Sequence, residues 1–305
     1  MNNKSPVLLI NNDIWKSDSS IGFLTPTAFS PHESADSLYV YGGVRDTYGR
    51  SCIRAVVLTE NGPSPFDQIC FDRRGSGDFD TDGTILGHVY QSQDVIRMLY
   101  VGFRKFDDVK FRAFSGLAES LDGGETFLFK RQILKYLPNK IFGPFAQDIV
   151  ACHWANLDEN GSGEALISVG TGWVRIHSKT FPSYTSYLVK LTQYEFESLI
   201  CSVPQESSIY RLGRPRFLAG KEFKLAVLTG GKITGDYRPY FFEYHDNQFI
   251  PSDNKSFPIL PGQSDFCTRQ VSYPEFINHP KLGNLVLFNG DNMGSVGCLA
   301  VKLSI

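Results

Sequence analysis

Two aspartates are the residues of this 305-residue chain best suited to acid–base chemistry. Asp46 follows an apolar run that ends on two glycines, and Asp80 lies in the segment Phe79-Asp-Thr-Asp-Gly83. Hydrolysis of a glycosidic bond needs two carboxylates, an acid and a base or nucleophile, about 5–9.5 Å apart. We therefore predict that Asp46 and Asp80 are catalytic. The alternative is that Asp46 caps its hairpin and that Asp80 and Asp82 are turn residues, which is the usual role of aspartate beside glycine.

Cationic and aromatic side chains are expected near these carboxylates. Guanidinium groups bind a carboxylate or a phosphate through paired hydrogen bonds, and an indole ring can stack on the apolar face of a sugar. The alternatives are pairing with nearby aspartates or a position on the rim for the cations, and core packing for the indole. The predicted substrate-binding residues are Arg45, Arg104, Trp173, Arg214, Lys232, Arg269, Tyr273 and Asp291.

A recurring stretch positions most of these residues. An apolar run breaks on glycine and then turns polar, at 38–46, 98–105, 166–173, 225–232 and 285–291. One glycine of each copy keeps a nearly constant spacing of 59, 70, 59 and 59 residues: Gly43, Gly102, Gly172, Gly231 and Gly290. Five copies at one spacing indicate a repeat architecture. Each run is short and rich in β-branched and aromatic residues, so each is predicted to be a buried strand whose glycine marks a bulge or a close backbone approach.

The repeats predict an all-β fold, a single five-bladed β-propeller over residues 1–305. Strand 7–10 has no neighbouring partner, and the chain ends on another apolar run at 298–305. Pairing of these two strands would close the ring and remove exposed sheet edges. The inner strands and the hairpins after the glycines would then meet at one end of the assembly, around an axial funnel.

Composition narrows the function classes. The net charge of −2 gives no argument for nucleic acid or a membrane surface as a partner. No segment reaches the roughly 18 apolar residues of a membrane-spanning helix, and the chain is expected to be cytoplasmic. The six cysteines are scattered without a CxxC pair, which favours reduced, buried thiols over a disulfide framework or a zinc site. His153 beside Cys152 is interpreted as a buried or rim histidine. No metal or other cofactor is predicted, and the oligomeric state is left open.

Several motifs resemble a known group. The five repeats, the run Gly42-Gly-Val-Arg-Asp46, the segment 79–83, the run 116–127 and Tyr273-Pro-Glu-Phe276 are similar to the five-bladed propeller superfamily of arabinanases, invertases and levansucrases. They look closest to the glycosidase-like proteins of bacterial surface-polysaccharide gene clusters. The resemblance implies a base or nucleophile on the first blade and a second-blade aspartate that orients the substrate, for which Asp46 and Asp80 are the nearest matches. The glutamate that the resemblance implies as general acid has no match, because Tyr210 and Arg269 stand at the corresponding places.

Two function classes follow. The first is a carbohydrate-active enzyme that acts on a glycosidic or sugar-phosphate bond, with an anionic or activated sugar as substrate, since a good leaving group needs no general acid. The second is a non-catalytic carbohydrate-binding propeller that has lost the acid. The predicted partner in both cases is a sugar, a sugar phosphate or a glycan.

Overall fold

The structure is a computed structural model that describes residues 6–11, 14, 21–30, 36–107, 109–176, 178–218, 224–232, 237–252, 261–262, 264–291, 295 and 297–303. Its strands form groups of four in antiparallel order. The first group is β2 (Ile21–Phe29), β3 (Leu38–Arg45), β4 (Ser51–Thr59) and β5 (Gly62–Pro65). The second is β6 (Gly83–Ser92), β7 (Val95–Arg104), β8 (Arg112–Ser120) and β9 (Leu128–Gln132), followed by a short helix α1 (Asn139–Phe142).

The third and fourth groups are joined into one eight-stranded sheet. The third is β10 (Val150–Leu157), β11 (Gly163–Ile176), β12 (Lys179–Thr192) and β13 (Glu195–Ser202). The fourth is β14 (Arg211–Phe217), β15 (Lys224–Gly231), β16 (Tyr237–His245) and β17 (Gln248–Pro251). A single parallel pair, Tyr184 with Arg211, connects them. The sequence predicted separate blades and did not reveal this bridge.

The last sheet combines both ends of the chain. It orders β1 (Val7–Ile10), β20 (Cys298–Lys302), β19 (Gly283–Asn289) and β18 (Ser272–His279). The predicted pairing of the N-terminal strand with the last strand is present, because Val7 lies opposite Ala300 in antiparallel register. Buried apolar side chains fill the spaces between sheets, and Tyr41 and Tyr100 are completely buried there.

The first strands of neighbouring groups pack against one another, and we call the region between them the centre. β2 contacts β6 and β18, β6 contacts β10, and β10 contacts β14. Each first strand also loses its regular register near its middle, between Leu24/Thr27, Leu86/His88, Cys152/Trp154, Gly213/Arg216 and Ser272/Glu275. Irregularities of this kind redirect side chains. We call the end at which these strands begin the upper end; the hairpins between second and third strands lie at the same end.

Glycine is required at the repeated positions for different structural reasons. A Cβ on Gly102 would lie 2.4 Å from the Cβ of Asp80, and one on Gly290 would lie 2.0 Å from the carbonyl oxygen of Phe266. Both positions therefore require a close approach that only glycine permits. Gly172 has open space, with the nearest atom 3.9 Å away, but its φ of +156° follows a register shift after Gly170. The predicted alternatives, a close approach and a bulge, both occur.

Candidate functional site

The centre of the molecule holds two buried guanidinium groups from β14. The Nη2 atom of Arg214 donates to the carbonyl oxygens of Thr25 and Pro26 at 2.9 and 2.8 Å, and to the Thr27 hydroxyl at 2.9 Å. Arg216 donates to the same hydroxyl at 2.6 Å. These bonds join the fourth group to the first across the centre.

The carboxylate at this centre is that of Glu275 on β18. Its Oε2 lies 3.1 Å from Nε of Arg216, and its Oε1 accepts from Nη1 of Arg216 at 3.4 Å and from the backbone N–H of Ala28 at 3.3 Å. Burial raises the pKa of Glu275, and the two arginines only partly oppose this. Because both oxygens already face donors, this carboxyl group is a structural counter-ion. We call Glu275 and the residues around it the central cluster, which consists of Thr27, His88, His153, Arg214, Arg216 and Glu275.

Burial and nearby cations disfavour the charged form of both histidines of the central cluster. Burial, followed by the nearby charges of Arg216 and Arg214, lowers the pKa of His88 to about 3. Burial lowers the pKa of His153 well below its ordinary value for the same reasons. The Nδ1 atoms of both rings are buried and have no hydrogen-bond partner in the part of the chain that the structure describes. The prediction that His153 is a buried histidine is confirmed, and within the described residues no three His, Cys, Asp or Glu side chains are grouped as metal ligands would be.

Three residues at the upper side of the central cluster have a strained backbone conformation. Thr25, Arg214 and Tyr273 each precede a proline in a first strand and have φ values of +55°, +52° and +56°. A non-glycine residue held in this region costs about 1–3 kcal/mol, and such residues occur where the surrounding structure fixes a side chain. The guanidinium of Arg214 lies 5.6 Å from the centre of the Tyr273 ring. Two of the predicted substrate-binding residues therefore lie together at the upper side of the centre.

Arg211 extends this group toward the upper end. Its guanidinium lies 4.7 Å from the Tyr210 ring and 5.3 Å from each of the Phe181 and Tyr237 rings, and its Nη2 donates to the Tyr210 hydroxyl. Its buried Nε has no hydrogen-bond partner among the described residues. Tyr184 and Tyr273 are each partly accessible to water, and burial raises the pKa of both phenols. The residues of this tyrosine–arginine cluster are Tyr184, Tyr210, Arg211, Arg214, Tyr237 and Tyr273. Arg45 is exposed and close enough to bias the ionisation of Tyr273.

Asp46 and Asp80 lie outside this cluster, in bonds of their own. Asp46 Oδ1 accepts from the backbone N–H groups of Tyr48 and Arg50, and its Oδ2 lies 2.8 Å from Arg50 Nε. Partial burial alone would raise the pKa of Asp46, but these bonds lower it. This is the hairpin-capping geometry that was the alternative for Asp46. The catalytic assignment of both residues stays a prediction.

Asp80 is fully buried and lies in the loop before β6. Both of its oxygens lie 3.0 Å from Nε of Arg74, and Oδ2 accepts from the Tyr100 hydroxyl at 2.7 Å. The side chain of Asp82, predicted beside it, accepts from the backbone N–H of Lys105 at 2.8 Å. Asp80 is thus a buried partner for one arginine and one tyrosine, and not a solvated turn residue.

The other predicted binding residues lie on upper hairpins. Trp173 Nε1 donates to Asp148 Oδ2 at 3.0 Å, and the other oxygen of Asp148 lies 3.0 Å from Arg112 Nε. Asp291 accepts backbone N–H bonds from Thr268, Arg269 and Gln270. Partial burial would raise the pKa of Asp291, but these bonds lower it. Lys232 and the Arg269 side chain are exposed, and Arg104 lines a separate cavity described below.

Sequence reasoning missed Arg211, Glu275, Tyr184 and His88. One available signal was the recurrence of X-Pro in three first strands, at Thr25, Arg214 and Tyr273. Thr27, Arg216 and Glu275 each stand two residues after one of these positions, so the recurrence marked equivalent places in three strands.

Comparisons with known proteins add the fold family. No protein-family model and no curated sequence matches the chain. Among solved structures, a glycoside hydrolase is similar to this chain with a TM-score of 0.69 and 11% sequence identity, over 98% of this chain and 92% of that one. An α-L-arabinofuranosidase catalytic domain from Coprinopsis cinerea has a TM-score of 0.61 at 12% identity, over 97% and 95%. A Bacillus subtilis levansucrase in complex with oligosaccharides has a TM-score of 0.60 at 10% identity, over 97% and 86%.

These neighbours are five-bladed β-propeller glycosidases. The predicted resemblance to that superfamily is therefore confirmed at the level of the fold, which is an all-β propeller fold. In the part of the chain that the structure describes, no helix is long and apolar enough to cross a membrane.

Proposed function

We propose that this protein is a carbohydrate-active propeller that binds the anionic group of a sugar at the tyrosine–arginine cluster. The observation that carries the proposal is Arg211, a half-buried guanidinium held among three aromatic rings, whose contacts within the described residues include no carboxylate. A desolvated cation without a counter-ion is costly, and an anionic ligand would offset that cost.

The surrounding groups suit such a ligand. Arg214 and Arg45 bring further positive charge beside Tyr273, while tyrosine rings offer both an apolar face and a hydroxyl. A carboxylate or phosphate accepts paired hydrogen bonds from a guanidinium, which fixes its orientation. The relevant ligands are therefore uronic-acid glycans and sugar phosphates. The glycosidase fold of the structural neighbours supports a carbohydrate as the body of the ligand.

We also propose that residues 1–305 form one domain, a propeller of five four-stranded blades. The five strand groups and the contact between the first strands β2 and β18 support this arrangement. The pairing of β1 with β20 would then fasten the ring, as the sequence predicted.

The test is calorimetric titration of the purified protein with a uronic-acid oligosaccharide, a sugar phosphate and a neutral oligosaccharide of equal length. We expect the anionic ligands to bind at least tenfold more tightly than the neutral one. Arg211→Gln and Arg45→Gln should each weaken anionic binding at least tenfold, whereas Lys302→Gln, which removes an exposed charge at the lower end, should not. Equal binding of neutral and anionic sugars would refute the proposal.

Glycoside hydrolysis is a second candidate, favoured by the fold of the neighbours. It needs a carboxylate pair, and Asp46 and Asp80 are the predicted pair. If it is correct, Asp46→Asn should abolish release of product from the ligands above without changing the melting temperature. If the protein binds without cutting, binding should survive Asp46→Asn and Asp80→Asn and be lost on Trp173→Ala. Turnover that persists in Asp46→Asn would remove that residue from the site.

A further inference from the structure

A cavity, which we call the side pocket, lies on the second strand group and shares no lining residue with the tyrosine–arginine cluster. Its volume is about 510 Å³, and its wall combines cations with aromatic rings. Ligand sites of small molecules typically measure about 300–1,000 Å³ and are lined by apolar surface with a few placed polar groups. The cationic lining residues are Arg74, Arg104, Arg131 and Lys135, and the aromatic ones are Phe79, Phe106, Phe114 and Phe129.

One of these cations already forms ion pairs within the protein. Arg74 makes ion pairs with buried Asp80 at 3.0 Å and with Asp78 at 3.2 Å, and its guanidinium lies 3.6 Å from the centre of the Phe129 ring. Phe79 stacks on Tyr100, which in turn donates to Asp80. This network fixes one wall of the pocket before any ligand arrives.

The other three cations have no carboxylate partner among the described residues. Arg104 and Arg131 contact aromatic rings, those of Phe106 at 5.5 Å and Tyr194 at 5.9 Å. The backbone N–H of Lys135 donates to Glu195, but no ion pair involves its ammonium group within the described part of the chain. Counting only the lining side chains and their ion-pair partners, four cations stand against the carboxylates of Asp78 and Asp80, a net of two positive charges.

We propose that the side pocket binds a nucleoside diphosphate, either free or as the nucleotide part of an activated sugar. Two uncompensated positive charges match a diphosphate, and Arg and Lys side chains are its usual ligands. The phenylalanine rings supply apolar surface for a planar base, which inorganic phosphate would leave exposed. The volume is also too large for a lone phosphate. This site is independent of the anionic-sugar function, because it shares no residue with the tyrosine–arginine cluster.

The test is calorimetric titration with UDP, ADP, inorganic pyrophosphate and uridine at moderate salt. We expect UDP or ADP to bind at least tenfold more tightly than pyrophosphate, which lacks the ring, and than uridine, which lacks the charge. UDP-glucose beside UDP distinguishes an activated sugar from the free nucleotide. Pyrophosphate that binds as tightly as the nucleotides, or no nucleotide binding at millimolar concentration, would overturn the proposal.

Matched variants locate the site. Arg131→Gln and Lys135→Gln should each weaken nucleotide binding about tenfold with an unchanged melting temperature, while Lys302→Gln should leave it unchanged. Arg211→Gln should lower anionic-sugar binding but not nucleotide binding, so failure of the sugar proposal and failure of this one are separable. Nucleotide affinity that stays the same in Arg131→Gln and Lys135→Gln would contradict the side pocket as its site.

Discussion

Replacing Asp80 with asparagine separates a structural from a catalytic role for this carboxylate. Asp80 is completely buried and holds Arg74 and the Tyr100 hydroxyl at the same time. Burial first, and then the hydrogen bond and negative charge of Asp80, raise the pKa of Tyr100, so the phenol keeps its proton and donates. Asparagine keeps the shape but removes the charge, and its amide places a donor where Arg74 or Tyr100 needs an acceptor.

The size of the effect follows from the exposure of the partners. Removing one partner of a fully buried ion pair costs about 3–5 kcal/mol, and losing a hydrogen bond to a charged group costs about 1.5–3 kcal/mol. The Arg74 side chain is 22% exposed and still has Asp78, which favours the lower values. We expect Asp80→Asn to lower the free energy of unfolding by about 2–3 kcal/mol, which at about 2 °C per kcal/mol for a chain of this size is a fall in melting temperature of roughly 4–6 °C.

Urea unfolding followed by circular dichroism measures this loss, with Asp78→Asn as the matched control. Asp78 pairs with the same arginine but is 43% exposed, so its substitution should cost less than about 1 kcal/mol. A double-mutant cycle with Arg74→Met should give a coupling energy of at least about 1 kcal/mol for Asp80. An Asp80→Asn protein that unfolds within about 0.5 kcal/mol of wild type, yet has lost a measured turnover, would refute the structural role and favour the catalytic one.

Three further perturbations test the centre of the fold. Gly87→Ala should destabilise severely, because its Cβ would lie 2.4 Å from the Cys152 carbonyl oxygen and 2.7 Å from that of Leu99, whereas Gly75→Ala, with no atom within 4 Å, should be nearly neutral in thermal melting. Glu275→Gln should cost about 3–5 kcal/mol in urea unfolding, because it leaves Arg216 beside Arg214 without a counter-ion; a loss below about 1 kcal/mol would contradict the ion pair. Folding lowers the pKa of His88 from 6.5 to about 3, so between these values only the unfolded chain takes up the proton; stability should therefore decrease as the pH is lowered below about 6.5, by at most about 1.4 kcal/mol per pH unit from this group. His88→Gln should reduce that pH dependence by the contribution of one proton taken up on unfolding. An unchanged dependence would show that His88 takes up its proton over the same pH range in the folded and the unfolded protein.

The sequence predicted the repeat and the strand type because both depend on local pattern. Apolar runs that end on glycine at a near-constant spacing identified β3, β7, β11, β15 and β19 and the shared end of their hairpins. It also predicted the pairing of β1 with β20 from two unpartnered apolar runs. The site was harder to predict from the sequence, because an aspartate that caps a hairpin and a catalytic aspartate have the same sequence context. Asp46 and Asp80 are bonded to Arg50 and Arg74, four and six residues away, and such short-range pairs compete with any role in a distant centre.

The charge of the centre bears on the choice between binding and hydrolysis. A two-carboxylate mechanism needs one group that holds its proton and another that is free to accept one or to attack. In the described part of the centre, two guanidiniums face one carboxyl group, and Glu275 has both oxygens occupied by donors. Positive charge of this kind favours a nearby anion, and the described residues of the centre supply no second carboxylate for hydrolysis. This balance of charge supports the proposal of an anionic ligand and argues against a two-carboxylate reaction at the centre.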